Sequence, residues 1–135
     1  MIFVIVEFLR GWLMPYPFWI RNVGRRGEYL ARRTFHRRGY HLVAHNWRHG
    51  HGEMDLIMAN WRHLVFVEVK TRRYRENLRI GDQVRYSQKK RLMSLARVFL
   101  KQWRDQQIPW EFQVVLVTFQ VDKPWHFSVQ HATLE

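Results

Sequence analysis

The sequence predicts a mixed α/β domain, a sheet covered by helices. Three observations carry this reading. Apolar residues recur at helical steps of three and four over Val23 to Arg38 and over Gln83 to Trp103. Between and after those stretches lie short β-branched and apolar runs of strand length. The chain has 135 residues and no cysteine, enough for one domain to bury a core without disulfides.

In the first helix, Ala31 and Phe35 fall within about 60° of Glu28 at 100° per residue, with Leu30 and Thr34 further round. Glu28 therefore borders the apolar face. Gly39 follows where a left-handed residue closes a helix. Three strands come next: His41 to Trp47, Met54 to Met58 after a turn at His49 to Gly52, and Leu64 to Lys70. The last is apolar on both faces and reads as a central strand covered on both sides. The short Asn60 to His63 connection predicts an antiparallel hairpin between the second and third strands. Thr71 to Arg85 reads as a basic loop. In the second helix, Gln88, Leu92, Leu95, Phe99 and Trp103 share a face. Phe112 to Phe119 is a further strand, and Trp125 to Gln130 a weaker last one. The seven tryptophans read as core or as cover over the N-terminal part.

Residues 1–22 differ from the rest and read as an N-terminal hydrophobic extension ahead of a single domain, 23–135. Glu7, Arg10, Pro15 and Pro17 interrupt the run of roughly 20 apolar residues that a spanning helix requires. No basic start or small-residue cleavage site marks a signal peptide. An edge strand or covering helix, an interfacial anchor and a start codon at Met14 all remain open for this segment.

Lys and Arg number 23 against 11 Asp and Glu, a formal net charge of +12. A folded, strongly basic domain suits a polyanion, with nucleic acid ahead of anionic membrane. Zero cysteines exclude a thiolate zinc site and a cysteine nucleophile, and fit a cytoplasmic location.

The chemistry is carried by charge placed in buried strands. Glu68 and Lys70 are two apart, so they share a strand face about 6.6 Å apart along the chain. Val65, Val67 and Val69 take the other face. Two ions at the end of a core strand cost several kcal/mol each in desolvation unless compensated. If the hairpin pairs as expected, Asp55 lies across from Glu68. Two carboxylates converging on one point suit a hard cation, Mg²⁺ or Mn²⁺, completed by waters and phosphate oxygens. On spacing alone, a strand-end ion pair with a turn aspartate is an equal alternative. His45, His49 and His51 with Glu53 match no familiar zinc spacing and read as a solvated loop.

Gly24-x-x-Gly27-Glu28, Ala31, Gly39-Tyr40, Asn46, Gly52-Glu53-Met54-Asp55-Leu56-Ile57 and Val65-Phe66-Val67-Glu68-Val69-Lys70-Thr71-Arg72 together resemble the uncharacterised bacterial UPF0102 (YraN-like) family. That family is similar to the restriction-endonuclease-like PD-(D/E)xK superfamily. The resemblance covers about Val23 to Thr118. It implies an α-β-β-β-α-β core, with Asp55, Glu68 and Lys70 as the catalytic trio. It also implies that Glu28 joins Asp55 and Glu68 at the metal. The chain departs from the family where the second helix usually carries a lysine, here Gln88. It departs again where a later strand usually reads Arg-Phe-Asp, here Glu111-Phe112-Gln113.

The expected function is thus a nucleic-acid-binding, Mg²⁺- or Mn²⁺-dependent endonuclease acting on DNA, with branched or damaged DNA suggested by analogy. Arg72, Arg73, Arg75, Arg85, Gln88, Lys89 and Lys90 are the residues expected at the nucleic acid, mostly on phosphates. Tyr74 and Tyr86 are interleaved and could stack on unpaired bases or simply pack. Two other classes stay open: a non-catalytic nucleic-acid-binding module of this fold, and a peripheral membrane protein. Membrane association is the less expected, and a homodimer is an open expectation.

Overall fold

A computed structural model describes residues 4–9, 21–103, 107–123 and 126–134. The elements are β1 (Val4–Leu9), α1 (Val23–Arg37), β2 (His41–His49), β3 (Gly52–Ala59), β4 (Leu64–Arg73), a short 3₁₀ turn (Ile80–Gln83), α2 (Tyr86–Gln102), β5 (Trp110–Phe119) and β6 (Phe127–Leu134). They form one six-stranded sheet in the order β1-β6-β5-β4-β3-β2. Only β4 and β5 run parallel; all other neighbours are antiparallel. A parallel pair needs a long crossover, and α2 supplies it. The mixed sheet flanked by helices is the fold the sequence predicts.

Local signals explain the element ends. Asn22 caps α1, its side chain accepting a hydrogen bond from the Arg25 N–H at 3.1 Å. Gly39 closes α1 at φ 86, where a side chain would be strained. Gly50, at φ 60, takes the first central position of the two-residue turn joining β2 to β3, where a type II′ hairpin wants glycine. The expected β3–β4 hairpin is present, and the Asn60 carboxamide oxygen holds its turn by accepting the N–H groups of Arg62 and His63.

The two faces of the sheet are covered by different helices. Leu30, Ala31 and Phe35 of α1 pack on Leu56, Met58, Val65, Val67, Val115 and Val117. Leu92, Leu95, Ala96 and Phe99 of α2 pack on Ile57, Leu64, Phe66 and Phe112. Strand β4 is thus buried on both faces, Val65 and Val67 under α1 and Leu64 and Phe66 under α2. This is why its sequence is apolar without alternation.

Several expectations need correction. Thr71–Arg73 are strand, not loop, because β4 continues its parallel pairing with Val117–Phe119. The second helix starts at Tyr86, since Ile80–Gln83 winds as a 3₁₀ turn seated on Val114 and Leu116. The last strand runs later than expected, to Leu134, because it pairs along β5 as far as Phe112. For Val4–Leu9 of the N-terminal extension, the edge-strand reading among those left open is the one the structure takes, antiparallel to β6. Trp61 is neither core nor cover: it stands 84% exposed at the β3–β4 turn, with the Arg62 guanidinium 4.4 Å from its ring centre. Trp47, Trp103 and Trp110 do pack on the α2 side, while Trp12, Trp19 and Trp125 lie outside the described residues. Among the described residues, no helix is long and apolar enough to cross a membrane.

Gly27 lets α1 approach the end of β4, since a Cβ there would run into the Thr71 side chain. Gly27→Ala is therefore expected to lower stability by about 1–3 kcal/mol. Thr71→Ala in the same chain should recover part of that loss. Denaturant unfolding of the two single variants and the double variant measures both effects.

Candidate active site

The site forms where β3 and β4 part company. Their ladder runs from Ala59↔Leu64 to Leu56↔Val67. One further step puts Asp55 opposite Glu68, as the hairpin predicts. At that step the backbone N–H of Val69 turns to the Asp55 carboxylate, donating to Oδ2 at 2.8 Å. A charge-assisted bond to a backbone donor fixes the carboxylate against the strand end.

Glu68 is buried and held from two sides. Gln88 Nε2, on α2, donates to Glu68 Oε1 at 2.9 Å. Lys70 Nζ lies 3.1 Å from the same oxygen, with both side chains largely out of water. Asp55 and Glu68 line one cavity of about 300 Å³ together with Gln88, Arg91, Leu92 and Leu95 of α2, His51 of the β2–β3 turn, and Gly52 and Glu53 at the start of β3.

Crowding of these acids shows in their protonation. Burial, then the neighbouring Glu68 carboxylate, push Asp55 up from 3.8 to about 7, against the stabilising Val69 N–H. Burial and Glu53 likewise raise Glu28. Asp55 thus carries an uncompensated share of negative charge beside Glu68, which a divalent cation would offset. Mg²⁺ is commonly held by one or two carboxylates plus waters and phosphate oxygens, so the Asp55–Glu68 pair fits it.

The expected residues are only partly gathered. Asp55, Glu68 and Gln88 share the cavity, and Lys70 joins through Glu68. Glu28 does not: it lines a separate hollow of about 140 Å³ with Arg25, Tyr29, Arg32, His45 and Leu56. Glu28 sits on α1, which covers the face bearing Leu56, yet its carboxylate is near enough to help raise Asp55 and to be raised in part by Glu68. Among the described residues no group of three His, Cys, Asp or Glu side chains is placed to hold a metal, so the expected Asp55–Glu68–Glu28 ligand set is not formed. Of the expected nucleic-acid residues, Arg72, Arg73, Arg75 and Arg85 are exposed between β4 and the start of α2. Lys90 lines a hollow next to the site, Lys89 is half-buried, and Gln88 serves Glu68 itself.

Arg91 was visible in the sequence only as part of a basic run. It lies one helical turn beyond Gln88, which is the signal for a shared face. The departures Glu111 and Gln113 belong elsewhere. Gln113 donates to Glu111 Oε1 at 2.9 Å, and Gln113 Oε1 is 3.2 Å from Nδ1 of the buried His131. His131 Nε2 is 2.8 Å from the Thr34 hydroxyl of α1. Burial lowers His131 to about 3, so it stays neutral and ties α1 to β6. These two substitutions thus serve a polar chain beneath α1 and do not touch the carboxylates.

Fold and site define a class: an α/β protein whose mixed sheet presents an Asp–Glu–Lys constellation at the end of its central strand. Residues 27–117 match the sequence model described as "Uncharacterised protein family UPF0102". The chain is 34% identical over 111 residues to a UPF0102 protein of Roseiflexus castenholzii, covering 82% of this chain and 89% of that one. It is 40% identical over 97 residues to one of Symbiobacterium thermophilum, covering 72% and 82%. It is 41% identical over 95 residues to one of Ruegeria pomeroyi, covering 70% and 76%. The chain belongs to the UPF0102 family.

The raised Asp55 sets a pH dependence with a definite sign. The folded state keeps a proton that the unfolded state releases between about 3.8 and about 7, so stability falls as pH rises through that window. In EDTA at pH 8, Asp55→Asn is expected to melt a few degrees above the wild type, at about 4 °C per kcal/mol for a domain this size. Millimolar Mg²⁺ or Mn²⁺ alone should raise the wild-type melting temperature and leave the variant unmoved. Thermal melts at pH 5 and pH 8, with and without metal, check all three statements.

Proposed function

We propose that this protein binds nucleic acid and hydrolyses DNA phosphodiester bonds with a divalent metal ion at the Asp55–Glu68 pair. The observation that carries the reading is the convergence of Asp55 and Glu68 on one cavity, with Lys70 ion-paired to Glu68 at its edge. The likeness of this Asp, Glu-x-Lys arrangement to the PD-(D/E)xK nucleases supports it, as does the net charge of +12.

Each side chain has a task in that reaction. Asp55 is aimed by the Val69 N–H, and Glu68 by Gln88 and Lys70, so the ligand oxygens are set before substrate arrives. A bound Mg²⁺ or Mn²⁺ would polarise the phosphate and make a coordinated water acidic. Lys70 orients that water and offsets negative charge as the phosphorane-like state develops. Arg91, at the cavity wall, meets the substrate phosphate, and the exposed Arg72, Arg73, Arg75 and Arg85 hold the flanking backbone.

One observation favours a second reading. Among the described residues no group of three ligand side chains is placed to hold a metal, so a non-catalytic nucleic-acid-binding module of the same fold keeps a claim. Membrane anchoring draws less support, since Val4–Leu9 is committed to the sheet.

Labelled single-stranded, duplex and four-way-junction DNA, incubated with Mg²⁺ or Mn²⁺, separate these readings. The wild type is expected to cleave, and Asp55→Ala to lose on the order of 100-fold or more in rate while still binding. Lys70→Ala should lose rate similarly. Tight, salt-sensitive binding by all three proteins with no product from any of them would overturn catalysis in favour of the binding module.

A further inference from the structure

The carboxylate cavity continues into a second, larger hollow. His51, Gly52, Arg91 and Leu95 line both. The second measures about 510 Å³ and lies between the β2–β3 turn and α2. The boundary between the two is tight: a Cβ on Gly52 would come within 2.8 Å of the Leu95 side chain, so the turn rests directly on the helix. Leu95 and Val98 help to give the hollow a chiefly apolar wall, and Lys90 and Arg91 supply cations beside it.

An apolar hollow with cations at its rim, opening onto a phosphate-directed carboxylate pair, has the layout of a nucleotide. The flat base, with the sugar, suits the apolar wall, and the phosphates suit Lys90 and Arg91. The volume is within the usual range for small-ligand pockets. Inside continuous duplex a base is paired and stacked, and cannot enter a pocket without being extruded at a cost of a few kcal/mol. A base that is already unpaired enters without that cost.

We infer that the substrate carries an unpaired nucleotide beside the scissile phosphate, as a single strand, flap or frayed end does, and that this hollow holds its nucleoside. The inference rests on the hydrolytic reading for the position of the phosphate, but its test reads binding alone.

Ser94 and Ser87 both line the hollow from the exposed side of α2, two turns or about 10.5 Å apart. Ser94→Phe and Ser87→Phe each put a ring into the hollow without disturbing the core. Fluorescence anisotropy in EDTA compares a short labelled single strand, the blunt duplex of the same sequence, and that duplex with a single-stranded flap. The wild type is expected to bind the strand and the flap roughly ten-fold more tightly than the duplex, about the worth of one stacked base. Each Phe variant should lose that preference, with duplex affinity and melting temperature unchanged. Wild-type affinity for single strand in both folded variants, or no wild-type preference over duplex, would overturn the inference. Either result can coexist with metal-dependent cleavage, which would leave the hydrolytic reading standing. Loss of single-strand affinity in the variants of a protein that cleaves nothing would support the hollow and remove the catalysis. An absence of binding to all three DNAs would overturn both.

Discussion

The arrangement of the site depends on one hydrogen bond, from the Val69 N–H to the Asp55 carboxylate. Had β3 and β4 stayed paired, that donor would have faced a backbone carbonyl, and the ladder would have run on past Glu68. Because a side chain takes it, the two strands separate while their ends remain tethered. The gap between them is where the acids meet, and α2 closes it with Gln88 and Arg91. Burying an ion pair such as Glu68–Lys70 seldom stabilises a fold. This pair sits at the strand end, next to a second acid that burial has driven towards neutrality.

Much of this could be read from residue types. The central strand announced itself through apolar residues on both faces, and the hairpin through its short connection. From these two facts came the opposition of Asp55 and Glu68. What could not be read was any feature set by a partner strand or helix. Thr71–Arg73 look like loop because their polarity suits water, yet β5 holds them in the ladder. Glu28 falls at the right border of α1, but helical angle does not say which hollow it lines. Arg91 looked like one more basic residue until its turn of helix met Gln88. Trp61 is exposed because the Asn60 turn lifts it away, which residue type alone does not reveal.

The departures from the family pattern divide along the same lines. Gln88 keeps the task of a helix donor to the strand glutamate, but without adding a second cation beside Lys70. The amide there adds no positive charge to the cavity. Glu111 and Gln113 sit beneath α1 and answer to His63 and His131. Their chemistry concerns how the first helix is seated.

The edge pairing of β1 with β6 joins segments far apart in sequence, residues 4–9 with residues 127–132. During synthesis the first strand is made long before its partner exists, and it must wait while every other strand is added. Closing so long a loop carries the largest entropic cost in the sheet, though that cost grows only slowly with length. Until then β6 has a bare edge, which other chains could pair with. Pairing with Val4–Leu9 covers that edge.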